Sequence, residues 1–133
     1  MATGTAGTAA RQFHTQQTHY LRKAFTFADT ATTFTVGTLP AGACIMAATS
    51  GVDVQTVFNA LTTNRVNIGI TGATAKYASN SSMLALGFVA MAVAVGHKVT
   101  VDTPIILTTD FTGTAATTGE AIVVISYIVD NDG

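Results

Sequence analysis

Ala121-Ile122-Val123-Val124-Ile125-Ser126-Tyr127-Ile128-Val129, launched by Thr118-Gly119-Glu120 and stopped by Asp130-Asn131-Asp132-Gly133, is the stretch that decides the fold. Almost every residue is apolar and most are β-branched or aromatic, the composition of a strand covered on both faces. Such a terminal segment predicts a strand that slots between earlier ones, so the fold closes only when the end of the chain arrives. Its alternation puts Val123, Ile125 and Tyr127 on one face, toward Phe25 and Phe27, and Ile122, Val124 and Ile128 on the other. In a two-layer sandwich only one face of each sheet meets the core. The Ile122, Val124 and Ile128 face is therefore expected to be covered by a neighbouring subunit.

Working back from that strand, period-two alternation recurs. Leu21, Phe25 and Phe27 share a face, Thr33-Phe34-Thr35-Val36 alternates after a turn at 29–31, and Val66, Ile68 and Ile70 point one way from 65–70. Leu39-Pro40-Ala41-Gly42 is a turn, because Pro presets φ and Gly42 accepts a positive one. Residues 43–58 read as one long strand bent at Ser50-Gly51. Residues 71–82, rich in Gly, Ala, Ser and Asn and carrying Lys76 and Tyr77, read as a long loop of the kind that carries contacts. Residues 84–95 combine an Ala content that suits a helix with Val and Met alternation that suits a strand, and are taken as strand or mixed. Strands at 97–102 and 104–111 complete a set of about eight.

The expected fold is all-β: an antiparallel β-sandwich, jelly-roll-like, with an immunoglobulin-like sandwich as runner-up that lacks the Cys and Trp hallmarks. Residues 20–133 form its single domain, since 133 residues are enough to bury a sizeable core. Residues 1–19 begin with Gly, Ala and Thr and form an expected flexible arm. Arg11, Phe13 and His14 in the arm and Tyr20 just after it are the first side chains able to grip a partner; with Lys76 and Tyr77 they are the candidate partner-binding residues.

Charged residues make up only 10% of the chain and the net charge is -1, against about 25% charged in an average soluble domain. A surface of Thr, Ala, Ser and Gly repels neighbours weakly, which points to a homo-oligomer (dimer or trimer) or to docking on a larger assembly. Without basic clusters, nucleic acid is not an expected partner. Cys44 is alone, so no disulfide within the chain is possible, and it reads as a small core residue. The N-terminus lacks the apolar core of a signal peptide, and the longest apolar run is too short to span a bilayer. A protein made in a cytoplasm, without a membrane partner, is expected.

Catalytic constellations are weak. Ser50 lacks the Gly-x-Ser-x-Gly elbow, and His14, His19 and His97 lack metal-ligand spacing. Asp29, Asp53, Asp102, Asp110 and Glu120 fall mostly in turns or on outward strand positions. No catalytic, cofactor or metal residue is assigned and no enzyme is expected.

Phe25-Thr26-Phe27 with the Leu39-Pro40-Ala41-Gly42 turn, Asn67-Ile68-Gly69 before Lys76-Tyr77, Val101-Asp102-Thr103-Pro104-Ile105, and Gly119-Glu120-Ala121-Ile122-Val123-Val124 through Tyr127 together resemble the small jelly-roll decoration (cement) proteins of bacteriophage capsids. The resemblance runs from about residue 21 to 130. It implies a structural virion protein that sits on the capsid surface, is made in the bacterial host cytoplasm, binds the major capsid protein and bridges capsid subunits. The alternative is a tail or fibre-type domain that recognises a host glycan or receptor, for which Tyr20 and Tyr77 are the candidate aromatics.

Overall fold

A computed structural model describes residues 18–29, 31–91 and 98–129. Its strands are β1 (His19–Thr26), β2 (Thr33–Leu39), β3 (Cys44–Ile45), β4 (Gly51–Thr56), β5 (Thr63–Ile70), β6 (Ala73–Ser82), β7 (Gly87–Ala90), β8 (Thr103–Thr112) and β9 (Glu120–Ile128), with a 3-10 turn at Ala47–Thr49. The antiparallel pairings nest: β1 with β9, β2 with β8, β4 with β7, and β5 with β6. Such a ribbon, rolled until β9 also meets β4 and β8 also meets β5, gives two sheets. One is β1-β9-β4-β7 with β3 beside β9, and the other is β2-β8-β5-β6. The result is an antiparallel, jelly-roll-like sandwich.

β9 lies where its composition puts it, between β1 and β4. Ala121, Val123 and Ile125 are fully buried, whereas Ile122 and Val124 are half-buried and Ile128 is exposed. Ser126 interrupts this alternation because the 3-10 turn closes over it. Its N–H donates to Ser50 Oγ at 2.8 Å, its Oγ donates to the Thr49 carbonyl at 3.2 Å, and its carbonyl accepts from Met46 N–H at 2.8 Å. Ser50, fully buried, is thus a clasp between β9 and the β3–β4 segment.

The core joins both sheets. Phe25 of β1 stacks on Phe34 of β2 and on Phe58, and Phe58 stacks on Phe111 of β8 with 4.7 Å between ring centroids. Gly119 permits this row, since a Cβ there would lie 2.2 Å from the Phe58 ring. Phe27, expected beside Phe25, instead sits in the turn after β1 and is 44% exposed.

Three sequence expectations are corrected. Residues 43–58 are not one bent strand: β3 and β4 both pair with β9, and the 3-10 turn between them holds the covering residues. Gly51 is required there by close approach, because a Cβ would lie 2.0 Å from the Val89 carbonyl oxygen. Residues 71–82 are a turn followed by β6, an edge strand with register shifts against β5, in which the ladder overrides weak intrinsic β-propensity. Residues 98–102 form no strand. Lys98 makes an isolated bridge with Cys44, Val99 exchanges hydrogen bonds with Gly42 and Ala43, and Asp102 accepts from Ala41 N–H at 2.9 Å. For the ambiguous segment 84–95, residues 87–90 are strand; 92–95 lie outside the described residues.

Candidate interaction surface

The outer face of the β9 sheet is built by cross-strand register. One row runs Ala24, Ile122, Asp53, Phe88, and the next runs Arg22, Val124, Gly51, Ala90. Tyr20, 65% exposed, stands opposite Ser126 at the end of the same face. With no side chain at Gly51, the second row is flat across β4. The face carries Arg22, Asp53 and, toward one end, Glu120 between Thr26 and Thr56, with Gln55 hydrogen-bonded to Asp53. The stretch around Ile122, Val124, Ala24, Ala90 and Phe88 is apolar or small and can be buried against a surface of similar character. Cys44, expected in the core, is only half-buried: it pairs with Ile128 and shares its outward side.

Of the other sequence candidates, Arg11, Phe13 and His14 lie outside the described residues. Lys76 is exposed on β6, its Nζ 5.7 Å from the centre of the Tyr77 ring. Tyr77 is 1% exposed and packs in the core, so its ring is not presented at the surface. Among the described residues its hydroxyl has no hydrogen-bond partner, and burial raises its pKa above the ordinary 10.0. Because the folded pKa is the higher one, this group leaves stability unchanged below pH 10.0 and subtracts from it as pH rises from 10.0 toward the folded value. Tyr77→Phe removes an orphan polar atom while keeping the packing. The expected result is equal or higher stability at neutral pH and a shallower loss at alkaline pH, read from denaturant midpoints across pH.

The opposite end of the sandwich carries a cleft of about 350 Å³ beside Phe27, lined also by Asp29, Thr32, Asp110 and Phe111. Both carboxylates are held by the protein: Asp29 accepts from Thr26 N–H at 2.8 Å, and Asp110 accepts from Arg65 Nε at 2.7 Å. The loop walling this end is pinned by Asn59, whose Oδ1 accepts from the N–H groups of Thr117 and Thr118. Buried Asn64 exchanges two hydrogen bonds with the Ala60 backbone. Nothing in the sequence singles out these two asparagines, because their partners are fixed by the fold. Among the described residues no group of three or more His, Cys, Asp or Glu could hold a metal ion, and no helix is long and apolar enough to cross a membrane.

No protein-family model matches the chain, and no curated protein matches it. Among solved structures, a chain of the cyanophage Pam1 capsid asymmetric unit shares the fold with a TM-score of 0.58 at 19% identity. The match covers 95% of this chain and 98% of that one, so the two chains are alike in length and in the course of the backbone.

Proposed function

We propose that the chain is a structural virion protein that binds the outer surface of a phage capsid and stabilises it by bridging capsid subunits. The observation that carries the reading is the fold shared over nearly the whole of both chains with a component of a phage capsid asymmetric unit. The outer β9 face supports it: Tyr20, Ile122, Val124 and Phe88 present apolar surface on a sheet whose other side is already core. In this reading the face rests on the shell while residues 1–19 reach a neighbouring major capsid protein subunit. An interface of standard size, about 1,600 Å² in total, needs only part of one sheet face plus an arm.

The test is occupancy on shells assembled without the protein. Full-length protein should bind saturably and raise the temperature at which the shells rupture, and removal of residues 1–19 should lower occupancy. Undiminished binding by the shortened protein removes the arm from the mechanism, and no binding by the full chain rejects the reading.

A second reading, glycan recognition by a tail or fibre domain, draws on the exposed Phe27 ring beside the Asp29 and Asp110 carboxylates. Hits on a glycan array that are abolished by Phe27→Ala would favour it over capsid binding.

A further inference from the structure

We propose that β7 is a self-pairing edge through which two copies of this chain join their β9 sheets into one. A sheet edge exposes unpaired N–H and C=O groups, and proteins usually guard it with charges, bulges or a cover. The other edges of this sandwich have such protection. β1 carries Arg22 and Lys23, and β6 carries Lys76 and is broken by register shifts. β2 shifts register between Thr35 and Gly37 and lies close to β1, with Leu21 packed over Gly37 and Lys23 over the Phe34 ring.

Among the described residues β7, four residues long, has no charge, no bulge and no covering strand. It ends the sheet order, pairs with β4 without a register shift, and no charged residue occurs between 84 and 91. The chain reaching it is strongly apolar and open: Leu84 is 62% exposed, Leu86 69% and Phe88 47%. An exposed apolar cluster beside an open strand edge is the pattern of a pairing site.

The ladder identifies which groups are offered. Met91 N–H donates to the Ser50 carbonyl at 2.8 Å. By the alternation of an antiparallel pair, Val89 and Gly87 also bond toward β4, while Phe88 and Ala90 turn their N–H and C=O outward. A two-fold axis through Val89 sets Phe88 of each copy opposite Ala90 of the other and satisfies all four outward groups per copy. This choice of partner follows from the edge itself: being uncharged, it brings no like charges together when it meets its own copy. The axis is normal to the sheet, so both outer faces look the same way. Ile122 and Val124 of the two copies then form one continuous platform, and a dimer touching a surface through both halves gains avidity.

The seam is short and falls below the standard interface size, so the association is of the weak class. Sedimentation velocity of the full chain over a hundredfold concentration range should show a reversible monomer–dimer equilibrium. Phe88→Lys alone and Ala90→Glu alone should each shift the protein to monomer by placing two like charges about the axis. Mixing the two variants should restore dimer, because position 88 of one then faces position 90 of the other. Both side chains are exposed, and circular dichroism verifies that each variant is folded. A wild-type protein that stays monomeric throughout, a dimer indifferent to both substitutions, or a mixture that stays monomeric overturns the proposal.

Discussion

Val123→Asp is expected to abolish folding, whereas Val124→Glu, one residue further along the same strand, leaves the domain folded. Val123 is fully buried and faces the core from the sheet centre, opposite Lys23 of β1 on one side and Val52 of β4 on the other. Even with Lys23 opposite, a carboxylate at this fully buried position must be stripped of water, which costs several kcal/mol per ion after relaxation and exceeds what a single cross-strand pair returns. Domains of this size are stable by only about 5–15 kcal/mol, so most of that margin is lost. Val124 points out and stands opposite Arg22, so a glutamate there meets an opposite charge in a cross-strand position. Circular dichroism and denaturant unfolding of the two variants read the difference directly. Equal loss of structure in both would show that the outer face is core as well.

The second large effect is expected at Phe58. Its ring is 1% exposed, stacks on both Phe25 and Phe111, and lies under Gly119. Phe58→Ala removes the middle of a row that ties the two sheets together and leaves a cavity, a change that typically costs ~3–5 kcal/mol. Off-centre rows of this kind add to area burial, so the upper half of that range is expected. Phe27→Ala, at an exposed turn, should change stability by less than about 0.5 kcal/mol. The contrast is measured by urea midpoints at constant slope. A Phe58→Ala midpoint within error of the wild type would show that the aromatic row carries little of the core.

Much of the architecture is written in side-chain period. β5 and β9 carry it through unbroken runs, so their inward residues, and the outward Ile122, Val124 and Ile128, are legible without a structure. β6 is not legible because Ala, Ser and Asn form a strand here only through the ladder to β5; the sequence shows their low propensity and not the neighbour that overrides it. Tyr77 misleads for the same reason, as a lone aromatic in a polar stretch reads as exposed when only its ring turns inward. The alternation at 97–102 is real but idle, since Val99 is buried against the 40–43 turn and Val101 is left exposed. As for the candidate surface, its centre on β9 is readable from period two. The open edge of β7 is not, because being at an edge is a property of strand order, set by contacts far apart in the chain.

The docking proposed above sets the outer β9 face on a phage shell. Co-sedimentation of the folded Val124→Glu protein with shells lacking the native subunit tests it most directly, because folding and docking are then read on the same molecule. Stability equal to the wild type is expected, with occupancy reduced about tenfold or more, the loss that ~1.4 kcal/mol of docking energy brings. Full occupancy by the folded variant would contradict it.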